Sequence, residues 1–234
     1  MANLQTLQIF LLKNKSTIIN IFFGIEIVIV LLILTAPFLY SANEDLFFRL
    51  VPVLGNRAGQ VSFILFVITL IPGILNRTRL LSTVRVILMS FRRHFGITMF
   101  LTAFLHSSYT STVLLLSSGS FSLSVLSRHQ VMGILALACL FPLWVTSNDF
   151  SMKKLGHWWS TIHRLTYVAL FFMYVHVALY GAKILSYVAI ALLAAEVISW
   201  SLYWRRNALA KKAIQPANLI PPQPKADSPT TEIT

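Results

Sequence analysis

The stretch FRRHFGITMFLTAFLHSSYTSTVLLLS, residues 91–117, decides the fold. Its two arginines, Arg92 and Arg93, stand together at one end, and from Phe95 to Ser117 it holds no Asp, Glu, Lys or Arg. A helix rises 1.5 Å per residue, so about 20 such residues cross the hydrocarbon core of a bilayer. The apolar residues do not alternate with polar ones as they would in a barrel strand. In lipid every backbone polar group must be satisfied within the chain, and a helix does this alone. The segment therefore reads as a transmembrane helix, with one histidine, His106, deep inside it.

Working outward, five more runs have the same character. The expected spans are Thr17–Tyr40, Ala58–Asn76, Phe91–Ser117, His129–Ser147, Trp158–Gly181 and Lys183–Tyr203. Pro72-Gly73 is expected to end or kink the second. The first run is too long for the apolar core of a secretory signal, and Leu39-Tyr40-Ser41-Ala42 is a poor cleavage site. The fold class is thus all-α, a polytopic bundle of about six membrane helices. Composition agrees: of 234 residues 56% are hydrophobic and only 11% charged, where a soluble domain carries about 25% charged residues. Residues 1–16 are expected as a cytoplasmic N-terminus, 17–204 as the membrane domain. Residues 205–234 are expected as a basic stop followed by a Pro-rich disordered tail, with Pro221-Pro222, Pro224 and Pro229.

The formal net charge is +12. On a soluble chain that would suggest nucleic acid; here the charges lie between apolar runs and report orientation, so no nucleic-acid partner is expected. Lys13, Lys15, Arg77, Arg79, Arg85, Arg92, Arg93, Lys153, Lys154, Arg205, Arg206, Lys211, Lys212 and Lys225 fall on one side, 14 in all, and Arg49, Arg57, Arg128 and Lys183 on the other, 4 in all. Arg164 lies within a span. The positive-inside rule makes the first side cytoplasmic, with both termini there. The plasma membrane of a bacterium is the expected location. The one cysteine, Cys139, excludes an internal disulfide and a cysteine-held cluster.

Six histidines remain: His94, His106, His129, His157, His163 and His176. Ionisable or metal-binding side chains within spans are costly and point to function. His106 on the third span and His176 on the fifth reach similar depths toward the outer half, while His94 and His163 lie near the cytoplasmic end. Facing histidines on two parallel helices suit axial ligation of haem iron between them. Zinc is a weaker rival, since it usually takes thiolate or carboxylate help. Packing histidines satisfied by Ser and Thr are the bland alternative. Helix phase argues against full stacking. His163 and His176 are 13 residues apart and His94 and His106 are 12, which on ideal helices puts each pair out of phase by roughly 120–140°. His94 is the weaker ligand. His157, before Trp158-Trp159, reads as an interface anchor, and His129 as a candidate for quinone or partner binding. Arg92, Arg93 and Arg164 are candidate partners for haem propionates, by bidentate pairing. Glu26 and Glu196, inside the first and sixth spans, are either structural carboxyls or proton acceptors near a quinol or haem.

These residues carry a resemblance. Arg92-Arg93-His94-Phe95-Gly96 followed by His106 resembles the third helix of the ferric reductase-like transmembrane domain. Thr146-Ser147, Leu155-Gly156, Trp159, Ile162-His163, Tyr167 and His176 resemble the approach to its fifth helix and that helix itself. Within the family the chain looks most like the haem-binding membrane subunits of bacterial methionine sulfoxide reductase systems. It departs from them at His129, where proline is expected after Arg128, and at His94, where an aliphatic residue is expected.

The resemblance implies b-type haem, one or two groups, held by His106, His163 and His176; depth along the helices, not the resemblance, makes His94 the expected partner of His163 at a second haem. Larger relatives carry a cytoplasmic flavin and nicotinamide domain. No Gly-rich phosphate loop stands in this sequence, so electrons are expected from a separate flavoprotein reductase or from membrane quinol, and are passed to a separate acceptor such as an extracytoplasmic reductase. The chain would then be the electron-transfer subunit of an oxidoreductase. Two other readings stay open: a transporter using its intramembrane histidines and carboxylates for protons or a metal, and a haem-free membrane anchor.

Overall fold

The computed structural model describes residues 2–118 and 126–214. Among these residues the chain forms nine helices and no strand. They are α1 (Ala2–Lys13), α2 (Lys15–Ala42), α3 (Glu44–Thr78), α4 (Ser82–Ser118), α5 (Arg128–Val145), α6 (Asp149–Leu155), α7 (His157–Ile162), α8 (Leu165–Tyr180) and α9 (Lys183–Ile214). Six stretches are long and apolar enough to cross a membrane, namely α2, α3, α4, α5, α7 with α8, and α9. The protein is an integral membrane protein of all-α fold.

Three boundaries differ from the expectation. The second span does not break at Pro72-Gly73, because α3 runs from Glu44 to Thr78 through both Pro52 and Pro72. Proline costs a helix one hydrogen bond and a clash. Pro72 is almost wholly buried, where neighbouring helices can re-satisfy the backbone group that a proline frees. The start of α3 is fixed by Asn43, whose side chain accepts from the Leu46 amide at 2.9 Å, and by Glu44 and Asp45 in the first turn, where acids suit the helix dipole. The sixth helix does not stop at Tyr203 either. It carries Arg205, Arg206 and Lys211 as helix and ends at Ile214. The expected disorder of residues 215–234 lies outside the described residues.

The third difference bears on the site. The fifth span is two helices, α7 and α8, joined at His163-Arg164. There the hydrogen bonds tighten to i→i−3: Arg164 N to Thr161 O, Thr166 N to His163 O and Tyr167 N to Arg164 O. Such a 3₁₀ stretch inside a helix re-aims the side chains that follow it. Before it, the turn from α6 to α7 needs Gly156, whose φ is +50°, a conformation open to glycine and strained for residues with a Cβ.

Helices in lipid gain little from the hydrophobic effect, because the tails are as apolar as leucine, so close packing and interhelical hydrogen bonds hold them. The tightest pair is α3 with α4. Phe47, Val51, Phe66 and Leu70 of α3 are buried with Met99, Phe100, Leu105 and Tyr109 of α4. Ser62 Oγ donates to Met99 O at 3.0 Å and Arg92 Nε to Thr69 O at 3.2 Å. A second pair, α5 with α8, stands beside it. The α9 helix is bound to α3 and α8 by one polar node: Arg77 pairs with Glu196, donates to Ser199 Oγ at 2.9 Å and to Tyr167 Oη at 3.3 Å, and its guanidinium lies 4.8 Å from the Trp200 ring centre. In α2 the pattern inverts. Ile21, Ile25, Ile27, Val28, Leu31 and Leu34 are exposed, as a lipid-facing helix requires, while Glu26 and Ile29 are buried.

Candidate functional site

The two histidine-bearing helices α4 and α8 are each supported by another helix, α3 and α5 respectively. At that place the rings of His106 and His176 face each other, with centres 6.2 Å apart and planes at 70°. Each ring is seated the same way. His106 Nδ1 lies 2.8 Å from Gly55 O on α3, and His176 Nδ1 lies 2.6 Å from His129 O on α5. A carbonyl oxygen can only accept, so Nδ1 carries the hydrogen. In the neutral ring the lone pair then belongs to Nε2, the form in which imidazole ligates a metal.

Both seats are made by glycine. A Cβ on Gly59 would stand 2.9 Å from His106 Nδ1, and a Cβ on Gly133 would stand 2.9 Å from His176 Nδ1. Any side chain larger than hydrogen at either position would force the ring or the helix to shift. The separation also fits an iron between them. With imidazole nitrogen about 2 Å from a metal, and the ring centre roughly 1 Å behind the nitrogen, two axial imidazoles have centres about 6 Å apart. The donor chemistry and spacing of this pair are therefore those a bis-histidine haem needs. Among the described residues no group of three or more His, Cys, Asp or Glu side chains converges to hold a bare metal ion.

The other expected residues fall in different places. His129 sits over the same seat, its ring 5.9 Å from that of His176 and 5.4 Å from that of Tyr180. Its carbonyl, not its ring, orients His176. Ser127 Oγ approaches His129 Nδ1 at 2.9 Å. His163 lies at the α7–α8 joint, stacked on Trp159 at 3.9 Å with Nδ1 3.0 Å from Trp159 O. The same seating logic leaves its Nε2 available. Trp159 is itself anchored by its indole N–H to Thr146 O at 3.0 Å, so the Thr146-Ser147 segment fixes the His163 platform.

His94 looks elsewhere. Its ring packs on Phe22 and Phe23 of α2, and its Nδ1 is 4.0 Å from Glu26 Oε1. It shares this α2-facing side of α4 with Thr98, which bonds Glu26, and Tyr109, which bonds Leu32 O. The 120° offset expected from the sequence separates two faces of one helix, His94 toward α2 and His106 toward α3 and α8.

The arginines divide similarly. Arg93 pairs with Asp149, and Arg164 is exposed at the α7–α8 joint. Arg92 uses Nε on Thr69 O and stands within electrostatic range of His163, Tyr167 and Glu196. Asp149 lies between spans, and the Arg93 guanidinium bonded to it holds its carboxyl below the usual carboxylate range. Sequence reasoning passed over the glycines Gly55, Gly59 and Gly133. Their signal was available only as glycines inside apolar helices, which mark close approach without saying of what.

Comparison with known proteins adds a second line. The profile of the ferric reductase like transmembrane component matches residues 58–174, half of the chain. The chain belongs to the ferric reductase-like transmembrane family. The matched segment contains Gly59, His106, Gly133 and His163, and ends two residues before His176. Among curated proteins, the chain is similar to the "Protein-methionine-sulfoxide reductase heme-binding subunit MsrQ" of Brucella ovis, Brucella abortus and Brucella suis, each 34% identical over 93 residues. Those alignments cover 38% of this chain and 41% of each relative. No solved structure matches.

Proposed function

We propose that this ferric reductase-like chain is a transmembrane b-type cytochrome subunit, holding haem between α4 and α8 with His106 and His176 as axial ligands. One observation carries the reading: two imidazoles face each other at 6.2 Å, each with Nδ1 committed to a backbone carbonyl and each seated on a glycine. Packing histidines have no need of two matched seats. The names of the relatives, heme-binding subunits, agree with it.

The bound haem would supply one-electron transfer. The residues of the chain do the rest. Gly55 O and His129 O fix ring tautomer and direction. Gly59 and Gly133 let α3 and α5 close on the rings. Ala169 and Leu170 of α8, both buried, pack in the apolar core that α8 shares with α4. His163 is the candidate ligand for a second haem or an alternative ligation on the basic side, where Arg92 is the best-placed cation for propionates. His94 would have to reach that haem from the opposite face of α4, so we assign the second site to His163 without it.

The basic side is taken as cytoplasmic. It suits an acidic flavoprotein reductase as electron donor, with membrane quinol as the lateral route, and the His106–His176 end is the exit toward an acceptor outside. The test is an absorption spectrum of the purified protein with a haem-to-protein ratio. A Soret band with sharp reduced α and β bands is expected. Protein that purifies folded and binds no haem on reconstitution overturns the proposal and leaves the transporter and anchor readings.

A further inference from the structure

The link between α5 and α8 is short and tethered at both ends. The α6 helix starts three residues after α5 ends, and α7 runs into α8 through His163-Arg164. Asp149 of α6 pairs with Arg93 of α4, and the Trp159 indole N–H of α7 donates to Thr146 O at 3.0 Å. With 7 residues, α6 is only about 10 Å long. The two short helices therefore stay at the rim of the bundle, at the level where α5 and α8 leave the membrane core.

Aromatic and basic side chains share the open side of this link. On α6, Phe150, Lys153 and Lys154 follow the spacing i, i+3, i+4 and so lie on one face, with Lys154 Nζ 5.5 Å from the centre of the Phe150 ring. Phe150 is 72% exposed, and both lysines are exposed. Among the described residues no salt bridge uses either lysine, and Asp149, the acid in α6, is bonded to Arg93. On α7, Trp158 is 65% exposed, while its neighbour Trp159 turns inward to stack on His163. We infer that this face is a docking site for an anionic phospholipid, whose phosphate and head group meet Lys153 and Lys154 while Phe150 and Trp158 enter the glycerol and upper acyl region beside it.

Place and charge together select this partner. Aromatic rings at the membrane boundary settle at the level of the head groups. Basic residues there gain from an anionic leaflet, about fivefold in affinity for each lysine. A zwitterionic lipid would cover the rings and bring the lysines no net charge. A soluble anion would meet the lysines and leave the rings in water. A soluble acidic protein is the remaining occupant, and the tethers at both ends argue against it, because they keep the rings at lipid depth. The site needs no haem and stands apart from the cytochrome reading.

The experiment uses the full chain in nanodiscs of phosphatidylcholine with a minor share of phosphatidylglycerol, one lipid or the other carrying bromine near its head group. Phe150→Trp supplies the reporter, and the emission it adds to that of the parent chain is read for quenching. Phosphatidylglycerol should be enriched about tenfold beside the reporter over its share of the bilayer, less so as salt rises. Lys153→Gln with Lys154→Gln should abolish the enrichment. Arg205→Gln with Lys211→Gln removes the same charge from α9 and should leave it nearly unchanged. All four side chains are exposed, so folding is not at stake. Soluble glycerol phosphate should not compete at the same concentration. Equal quenching by the two brominated lipids, equal loss in the two charge variants, or displacement by glycerol phosphate each overturns the inference. A reporter quenched by neither lipid overturns it too, and leaves the face to a soluble protein.

Discussion

The Nδ1 atom of His176 bonds to the main-chain carbonyl of His129 at 2.6 Å, so one histidine orients another without using its side chain. The ring of His129 lies near, 5.9 Å from that of His176, yet the orienting atom survives any substitution at position 129 except one that distorts the helix. His129→Ala should therefore retain a low-spin haem spectrum and full haem content, while His106→Ala and His176→Ala should each lose the low-spin signal. Absorption and EPR spectra of the three variants check this. Loss of low-spin haem in His129→Ala alone would move the ligand to His129.

The glycine seats give a sharper test because they touch no iron. Gly59→Ala and Gly133→Ala each place a Cβ 2.9 Å from an imidazole nitrogen, a distance that forces ring or helix to move. Disturbing the groups that orient a ligand commonly costs 10–100-fold in metal affinity. Haem affinity by titration of the apoprotein should fall in that range for both variants. Gly24→Ala, where an added Cβ meets nothing within 4 Å, should be neutral.

The node around Arg77 governs stability. Its side chain is 10% exposed and that of Glu196 6%. Removing one partner of such a pair strands the other charge, at a cost of about 3–5 kcal/mol. Arg77→Leu and Glu196→Leu should each lower the midpoint of thermal or denaturant unfolding sharply. The double variant should recover part of the loss, since two apolar side chains leave no stranded charge. Equal midpoints for single and double variants would show that the node is not electrostatic.

Acid should weaken the Arg93–Asp149 pair, which ties α4 to α6. Arg93 lowers the Asp149 carboxyl below its unfolded value. A depressed acid stabilises the fold above the unfolded value of about 4, and that contribution fades as pH falls through the lowered folded value. Stability between pH 5 and 8 should therefore be the same in Asp149→Asn and the parent with respect to slope, and the two curves should converge at acid pH. Both side chains are exposed, so salt should weaken the pair. A difference that grows as pH falls would reverse the assigned sign.

Orientation can be read independently of haem. With 14 basic residues on one side and 4 on the other, single cysteines placed at Arg79 and Lys153 should be shielded from a membrane-impermeant reagent in intact cells, and one at Arg57 should react. The parent cysteine, Cys139, is replaced first, since it lies partly exposed within α5. The reverse labelling pattern would invert donor and acceptor sides.

The sequence by itself determined the class of this protein. Apolar runs of spanning length permit one backbone solution in lipid, so six membrane helices follow from hydropathy, and the depth of His106 and His176 follows from counting residues along them. The family resemblance stood on short motifs that the profile match over residues 58–174 bears out. Helix phase even announced that His94 and His106 lie on different faces. What counting could not supply was the partner of each face. Periodicity fixes a residue's angle about its own helix axis and leaves open which helix it meets, because lipid-facing and bundle-facing surfaces are equally apolar here. Only packing put Gly59 under His106 and Gly133 under His176. Only packing turned His94 toward Glu26, and gave Arg93 to Asp149 while leaving Arg92 toward His163. The continuation of α3 as helix through Pro72 and the break at His163-Arg164 are of the same kind: local propensity proposes a break at one site and none at the other, and contacts with neighbouring helices decide both.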